Sequence, residues 1–385
     1  MGRGTPARGR AAHPQNCVGP KHPVSHNSAI RKRTSPSTTR RKTPLSSGPA
    51  ISQATDERLG RIVRLLSNHA TVTVSGTKIA DEIGTSRSEV WRLVQQLRHL
   101  GVDIAGRPAT GYQLERIPDL LLPEVLAPML RGNTLGHRIQ HFFRITSTNS
   151  AAAEAAVGGE PEGTVFLSEE QVSGRGRGRN TWHSPRSTGI YCSVVLRPPL
   201  VPADALLLSL VAGLAVVEAV QQVSTNQSDG KHSIHPDLRW PNDVLLNGKK
   251  FCGILIELTA DQTRVRHAVV GIGINVNQPS FPEDLKQQAT SLRLETGLVW
   301  SRVELVSALL KSLDLEYRKL KESPADARGA IFRRFEQHSS SARGRKVHVD
   351  ENGGFEGVTE GLDEHGFLRV RTAQGMRTVL SGGVR

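Results

Sequence analysis

A short loop sequence, SGRGRGRNTWHSP at residues 173–185, alternates glycine with arginine and ends close to a tryptophan. The paired N–H groups of a guanidinium can hold two oxygens of a phosphate or carboxylate. Glycines let backbone N–H groups approach the same oxygens. One interpretation is an exposed basic loop that meets nucleic acid; the other is a loop that folds over a small anionic ligand such as a nucleotide phosphate. The loop alone does not decide between them.

Other polar residues stand next to turns and strand ends. Lys250 begins an apolar strand just after a turn, where lysine is either an edge-strand solubiliser or a buried point charge for an anion. The pair at 242–243 follows a proline, where Asn and Asp often only form turns. Residues 147–149, STN, can cap a following helix. Each has a plain structural explanation, but together they indicate polar groups that converge above one sheet.

Several function classes find no support. The sequence has no GxxxxGK[ST] and no GxSxG motif, which argues against a P-loop protein and an α/β-hydrolase. GIGIN at 271–275 lacks the third glycine of a dinucleotide fingerprint. The histidines are scattered and the three cysteines are unspaced, so no metal site or disulfide framework is expected, and a reducing cytoplasm fits.

The net charge of +14 is concentrated at the start of the chain, because residues 1–50 contain ten Lys or Arg and no acid. Residues 1–54 are therefore predicted to be a disordered basic tail. A solvated extension, a DNA-affinity arm and an overextended gene start remain open as its origin. The tail has no apolar core of a signal peptide. No run of about 18 apolar residues predicts a membrane span, and ALLLSLVAGLAVVEAV at 205–220 predicts a buried helix.

Residues 55–116 are predicted to form a winged helix-turn-helix, because three helices precede two short strands. Ser86 and Glu89 form a capping-box pattern at the start of the third helix. An exposed helix start of this kind enters the DNA major groove. Trp91 is expected to pack rather than to stack on bases, and a protein-interaction module is the alternative. The predicted DNA-contacting residues are Ser86, Arg87, Ser88 and Arg92 on the helix and Arg107 on the wing.

The fold class is predicted as multidomain α+β. Strands and helices alternate over residues 132–338, which favours a mixed sheet with helices packed on it. Residues 342–385 contain five or six short strands separated by glycine turns, which predicts a small all-β barrel whose default role is packing or partner contact.

Five segments, in order, resemble the biotin protein ligase family over residues 58–385: STN, EEQVSGRGRGRNTWHSP, GIYCSVVLRPPL, LRWPNDVLLNGKKFCGILIE and GIGINVN. The front module resembles that of the bifunctional ligase–repressors. The resemblance implies a winged helix-turn-helix, a central biotin/lipoate ligase-like catalytic domain and a C-terminal SH3-like barrel.

The resemblance also implies a two-step reaction. Biotin and ATP, with Mg²⁺, give biotinyl-5′-AMP, and a lysine of the biotin carboxyl carrier protein of acetyl-CoA carboxylase receives the biotinyl group. Implied partners are this carrier, operator DNA and a second copy of the chain in a ligand-promoted homodimer; no membrane partner is implied. Alternatives are a DNA-binding biotin sensor with little catalysis and a lipoate ligase-like acyltransferase, and biotin-dependent ATP–pyrophosphate exchange separates these from the ligase.

The family's site residues are carried over to matching positions. The catalytic residues so implied are Arg175, Arg177 and Lys250. Those implied for biotin are Ser147, Thr148, Asn149, Gln171, Arg175, Gly176, Arg177, Lys250, Gly253 and Gly271. Those implied for the nucleotide are Trp182, Asn242, Asp243 and Asn275. No metal ligand is assigned, and the role of Arg179 is left open. The glycine-arginine loop is then expected to be a lid that orders over the adenylate.

Overall fold

The computed structural model describes residue 1 and residues 53–116, 119–178, 180–227, 234–351, 353–380 and 383–384. Most of the predicted tail, residues 2–52, lies outside these ranges, as does Arg179. The predictions made for both stay predictions. The described residues from 53 onward belong to one compact unit.

The first module is a three-helix unit followed by a hairpin: α1 (Gln53–Asn68), α2 (Gly76–Ile83), α3 (Arg87–His99), β1 (Ile104–Arg107) and β2 (Gly111–Leu114). The Ser86 hydroxyl accepts the N–H of Glu89 at 3.2 Å, as the capping pattern predicted. Gly84 ends α2 with a φ of 67°. The buried faces of α1 and α3 share one core: Leu59, Ile62, Val63, Leu66, Val90, Leu93, Val94 and Leu97. The predicted helix-turn-helix is confirmed.

The next part of the chain builds a large sheet and its helices: α4 (Pro123–Met129), β3 (Arg138–Phe142), α5 (Thr148–Val157), β4 (Thr164–Ser168), β5 (Gly174–Arg175), β6 (Thr181–Trp182), β7 (Gly189–Leu196), α6 (Leu206–Gln227), β8 (Asp237–Arg239), β9 (Asp243–Leu246), β10 (Lys249–Ala260), β11 (Val265–Asn275), α7 (Leu292–Thr296), α8 (Arg302–Glu322) and α9 (Pro324–Gln337). Seven strands lie in the order β3-β4-β7-β11-β10-β9-β8. Only β3 and β4 pair in parallel among these neighbours. The predicted mixed sheet is confirmed.

Helices α6 and α8 cover one face of this sheet and form the main core with it. The segment Pro202–Asn226, which includes most of α6, is long and apolar enough to cross a membrane by length and composition, but its apolar window is 78% buried inside the fold. This burial confirms the predicted core helix at 205–220.

The opposite face of the sheet is covered by α5. Ala152 and Ala156 of α5 pack on Phe166, Val195 and Val269, which alternate with strand residues of the main core. The short alanine side chains hold α5 close to β4, β7 and β11. The start of α5 is thereby fixed beside the middle of the sheet.

The C-terminal part is a four-stranded antiparallel sheet in sequential order: β12 (Arg343–Val349), β13 (Phe355–Leu362), β14 (Leu368–Thr372) and β15 (Gly375–Val379). Five or six strands and a closed barrel were predicted. In the described residues β12 and β15 do not pair, and the chain after β15 adds a single antiparallel bridge between Val349 and Val384. The described part therefore shows an open antiparallel sheet.

A buried ion pair lies where the front module meets the large sheet. The Arg302 guanidinium is 2.8 Å from Glu169 Oε2, and both side chains are 1% exposed. The N–H of Leu121 donates to Glu169 Oε1 at 2.8 Å. Burial alone would raise the pKa of Glu169, but the charge of Arg302 and the contact with His141 outweigh it and lower that pKa to about 2.

Asp56 of α1 lies at the same junction and is 2% exposed. Its Oδ1 accepts the N–H of Phe143, just after β3, at 3.3 Å. Its Oδ2 has no hydrogen-bond partner within the described part of the chain. Burial raises the pKa of Asp56 to about 6, although the bond from Phe143 and the proximity of His141 act in the other direction.

The pKa of Asp56 predicts a pH-dependent stability. Because the folded-state pKa lies above the ordinary value of 3.8, the folded protein holds this proton more tightly than the unfolded chain does, and stability is lost as pH rises through about 6. We expect Asp56→Asn to gain on the order of 2 kcal/mol relative to the wild type above this range, and to gain little below about pH 4. Urea unfolding of both proteins across a pH series measures the difference; a difference independent of pH would contradict the assignment.

Candidate active site

A cavity of about 480 Å³ lies on the α5 side of the sheet. Its floor is formed by β10 and β11, where Gly253, Gly271 and Gly273 occupy the positions that face α5. A methyl group on Gly271 would come within 2.0 Å of Asn149 Oδ1, and one on Gly273 within 2.5 Å of the Trp182 ring. These approaches require glycine at both positions.

Most of the residues predicted for biotin and nucleotide are brought together around this cavity. Those that line it are Ser147, Thr148, Asn149, Gln171, Arg175, Gly176, Arg177, Trp182, Asn242, Asp243, Lys250, Gly253 and Gly271. Asn275 is not brought into the lining. It is 3% exposed, its amide donates to the Thr290 carbonyl at 3.1 Å, and its Oδ1 accepts from Gln278 at 3.1 Å. Its side chain is committed to structure at the end of β11.

One wall of the cavity is a hydrogen-bonded set of neutral polar groups. Ser147 caps α5, and its hydroxyl accepts the N–H of Ser150 at 3.4 Å. Gln171 Oε1 accepts the N–H of Thr148 at 2.9 Å, and Gln171 Nε2 donates to the Ser184 hydroxyl at 2.9 Å. The glutamine is therefore held from both sides, at the point where the chain leaves the sheet for the glycine-arginine loop.

The loop itself is a small hairpin of β5 and β6. The N–H of Gly176 donates to the Asn180 carbonyl at 2.8 Å. A methyl group on Gly174 would lie 2.5 Å from the Trp182 carbonyl oxygen, so the two strands touch at their base. The hairpin places Trp182 over Gly253 and Gly273, and it places Arg175 and Arg177 on the cavity wall.

Three cations of the cavity lining are paired with carboxylates: Lys250, Arg239 and Arg175. Lys250 Nζ is 2.5 Å from Asp243 Oδ1 and 5.3 Å from the centroid of the Trp182 ring. Arg239 binds the other oxygen of Asp243 at 2.6 Å. Arg175 binds Glu257 at 2.7 Å. The amide of Asn242 donates to the Ile254 carbonyl at 2.8 Å, which fixes the turn after the cis Trp240–Pro241 bond to β10.

Among the residues not predicted from the sequence are Arg239 and Gly273, which line the cavity, and Ser193 and Glu257, which bond to lining residues. Ser193 Oγ contacts Thr148 Oγ1 at 2.8 Å and Asn149 Oδ1 at 2.7 Å. Strand alternation supplied a signal for two of them, since Glu257 and Gly273 lie an even number of positions from Gly253 and Gly271. Ser193 and Arg239 are recognised only through the pairing of strands distant in sequence.

The described lining carries three arginines and a lysine against one carboxylate, Asp243. An excess of cations on a glycine floor suits an anionic ligand whose atoms approach the backbone closely. Among the residues that the structure describes, no group of three or more His, Cys, Asp or Glu is arranged to hold a metal ion.

The predicted DNA-contacting residues lie on the surface of the front module. Ser86, Arg87 and Ser88 are exposed at the start of α3. The Ser86 hydroxyl is used as a helix cap, and Arg92 pairs with Glu89 at 2.6 Å. Arg107 ends β1 at the tip of the hairpin.

Trp91, on the same helix as Arg87 and Arg92, was expected to pack rather than to stack on bases, and the expected packing was wrong. It is 57% exposed. Its neighbour Val90 occupies the buried position instead.

Three family models match three separate stretches of the chain. Residues 142–275 match the biotin/lipoate A/B protein ligase family, residues 58–113 match an HTH domain, and residues 344–384 match the biotin protein ligase C-terminal domain.

Individual relatives match over long stretches. The bifunctional ligase/repressor BirA of Bacillus spizizenii is 32% identical over 326 residues, which is 84% of this chain and 97% of the relative. The biotin–[acetyl-CoA-carboxylase] ligase of Mycobacterium tuberculosis is 34% identical over 275 residues, 69% of this chain and 96% of the relative.

A solved structure of biotin protein ligase from Aquifex aeolicus in complex with biotin and ATP is 32% identical, covers 64% of this chain and 97% of its own, and superposes with a TM-score of 0.53. The matched families, the sequence relatives and the solved structure all point to the same family. The chain belongs to the biotin protein ligase family.

Proposed function

We propose that this protein activates biotin with ATP and transfers the biotinyl group to a lysine of a biotin carboxyl carrier protein. In the first step a biotin carboxylate oxygen attacks the α-phosphorus of ATP, the bond between the α- and β-phosphates breaks, and pyrophosphate leaves. In the second step the carrier's lysine amine attacks the acyl carbon of biotinyl-5′-AMP, AMP leaves, and the amine loses its proton. The observation that carries the proposal is the convergence of Arg175, Arg177 and Lys250 on one cavity.

Charge repulsion is the main obstacle to the first step, because a carboxylate must approach a phosphate. Fixed cations lower this repulsion, and they act most strongly where water is excluded and their positions are set beforehand. Lys250, held between Asp243 and the Trp182 ring, is proposed to meet both the biotin carboxylate and the α-phosphate. Arg175 and Arg177 are proposed to hold the phosphate oxygens.

The neutral wall suits the uncharged ureido head of biotin. Ser147 and Gln171 present a hydroxyl and an amide in fixed positions, and the glycines of β10 and β11 leave room beside them for an apolar ring. A pocket of mainly apolar surface with a few oriented polar groups is the usual form of a small-molecule site. We propose that biotin lies with its head at this wall and its carboxylate towards Lys250.

The hairpin of β5 and β6 is proposed to act as a lid. Biotinyl-5′-AMP is a mixed anhydride that water hydrolyses, so the site must exclude water until the carrier lysine arrives. Trp182 already lies against the glycine floor, and the turn that contains Gly178, with a φ of 68°, joins the two strands of the hairpin. Closure of such a loop over the ligand is a common way to protect a labile intermediate.

Mg²⁺ is proposed to be bound chiefly by the phosphates of ATP. Magnesium retains several waters and often takes only one or two carboxylates from a protein. The described lining supplies a single carboxylate, Asp243, which fits this mode of binding. When bound, the ion would neutralise charge on the leaving pyrophosphate.

Replacement of Lys250 tests the ligase function directly. We expect Lys250→Ala to reduce biotin-dependent ATP–pyrophosphate exchange by at least about a hundredfold, the scale for loss of a preorganised charge in a transition state. Lys249→Ala is the matched control, since Lys249 precedes it on β10 but does not line the cavity. The mass of a carrier domain incubated with biotin and MgATP reports the complete reaction. Normal turnover by Lys250→Ala would remove this residue from the mechanism, and exchange with lipoate but not biotin would favour an acyltransferase of the lipoate type.

We propose that the protein also represses transcription in response to biotin. The helix-turn-helix module and the relatives named ligase/repressor support this role. A single module of this type reads one half-site, so a ligand-promoted homodimer would supply the second. The site of action is proposed to be the cytoplasm, where both operator and carrier would be met.

The chain is proposed to be organised as a basic tail at 1–54, whose last two residues already belong to α1, a DNA-binding module at 55–116, a catalytic domain at 132–338 and a C-terminal domain at 342–385. The matches at 58–113 and 344–384 fall within these limits. The bridge between Val349 and Val384 brings the chain end back to β12, which supports closure of the last domain as an SH3-like barrel.

Replacement of Arg87 tests the repressor role. The probe is a duplex selected from random DNA by the wild-type protein with biotin and MgATP present. We expect Arg87→Ala to weaken binding to this duplex by about tenfold, the scale of one lost side-chain contact to DNA, while carrier biotinylation is unchanged. Arg64→Ala, an exposed arginine of α1, is the control. Failure to select any sequence, or full binding by Arg87→Ala, would contradict the proposal.

A further inference from the structure

A continuous chain of hydrogen bonds runs beside the cavity from Gln171, at the base of the hairpin, to Arg175. It begins at Gln171, which binds Thr148, and passes through the Ser193 hydroxyl to Asn149. Asn149 Nδ2 then donates to Glu257 Oε2 at 3.0 Å. Glu257 is the last member before Arg175, and it is the link between the polar motif at the start of α5 and the lid.

The contact between Glu257 and Arg175 is bidentate. Arg175 Nη1 donates to Glu257 Oε2 at 2.9 Å, and Arg175 Nη2 lies 2.7 Å from Glu257 Oε1. This geometry fixes the plane of the guanidinium as well as its position. Two of its five N–H donors are used by the carboxylate, and three remain for a ligand.

The two partners differ in how firmly the fold holds them. Glu257 is on the 12-residue strand β10 and pairs there with Val269 of β11, beyond the part of β10 that pairs with β9. Arg175 is on the two-residue strand β5 of the lid hairpin, and its side chain is 47% exposed. A long exposed side chain loses rotamer freedom when a ligand fixes it. A carboxylate anchored in the sheet removes part of that cost before the ligand arrives.

We propose that Glu257 is a positioning residue for the ligase reaction: it holds the Arg175 guanidinium at the cavity edge, ready for the phosphate of biotinyl-5′-AMP. The inference rests on the proposed function of the site. An ion pair this exposed contributes little to folding stability. The main effect of the pair is therefore expected on the binding of the ligand. Glu257 does not touch the reacting atoms; it acts through Arg175.

Two other roles for Glu257 predict different effects of its removal on adenylate binding and on stability. If Glu257 were a latch that competes with the phosphate for Arg175, its removal would tighten adenylate binding. If the pair were structural only, its removal would lower stability and leave the kinetics unchanged. A positioning role predicts faster adenylate loss with nearly unchanged stability.

The test uses Glu257→Gln, which keeps the shape of the side chain but removes its charge. We expect biotinyl-5′-AMP, formed on the full-length enzyme and chased with unlabelled biotin, to be released about tenfold faster than from the wild type. The urea midpoint should stay the same. Glu160→Gln is the matched control, because Glu160 pairs with Arg138 at 3.0 Å in the same domain outside the cavity lining.

A double-mutant cycle assigns the effect to Arg175. In an Arg175→Ala background, Glu257→Gln should change the release rate less than about twofold, since the residue through which it acts is gone. An equal tenfold effect in that background would mean that Glu257 acts through Asn149 and would overturn the proposal, as would unchanged or slower release from the single variant. If the wild type forms no biotinyl-5′-AMP, the proposed function itself fails; if it forms and retains the adenylate while Glu257→Gln does so equally well, only the positioning role fails.

Discussion

Glu169 and Arg302 form an ion pair in which both side chains are almost fully removed from water. Two such charges lose more free energy of hydration than their attraction returns, unless further polar groups share in the contact. Here the sharing groups come from separate segments: the N–H of Leu121, the hydroxyl of Ser187 and the carbonyl of Gly189. Through these hydrogen bonds the pair links three segments: the linker after the front module, the segment after the glycine-arginine hairpin and the start of β7.

The Glu169–Arg302 pair fixes the base of the proposed lid, whereas the tip of the hairpin has separate contacts. Gln171 follows Glu169 by two residues and is itself held by Thr148 and Ser184, so the exit of the chain from β4 is rigid. The hairpin beyond it touches the sheet mainly through Trp182 and through the pair of Arg175 with Glu257. A lid of the proposed kind would open at its tip without disturbing Gln171 and the groups bonded to it.

Contacts between the helix-turn-helix module and the rest of the chain lie close to the same ion pair. Asp119 accepts the backbone N–H of Arg302, and the Arg186 guanidinium, which binds Glu170 at 3.1 Å, also binds the carbonyl of His99 at the end of α3. The front module is therefore anchored to the residues that flank the lid base. An altered position of these flanking residues would bear directly on the contacts of the front module.

Local sequence patterns predicted those parts of the architecture that interactions between residues close in sequence determine. The cap at Ser86 and the buried helix at 205–220 follow from short-range spacing. The particular residues that converge from STN, the glycine-arginine loop and Lys250 were implied by the family resemblance. Contacts set by strand register were not predictable in the same way. Arg175 and Glu257 are 82 residues apart and meet only because β10 lies beside β11 and under the lid.

The expectation for Trp91 failed and the expected closure of the C-terminal barrel stays a proposal, for related reasons. Trp91 has the spacing of a core residue, but Val90, Leu93, Val94 and Leu97 already fill the buried face of α3. The C-terminal strands alternate as those of a barrel do, yet closure depends on the first and last strands meeting, which alternation does not encode.

The distribution of charge explains why composition alone misleads for this chain. Ten of the fourteen net positive charges lie in residues 1–50, far from the chemistry in sequence. In the cavity, Asp243 partners both Lys250 and Arg239, and Glu257 partners Arg175. These acids keep neighbouring cations from repelling one another, and they set the direction of the remaining N–H groups. Two well-placed carboxylates can therefore make a cluster of cations more effective towards a phosphate than a larger unpartnered charge would be, because the donors need not reorganise when the anion arrives.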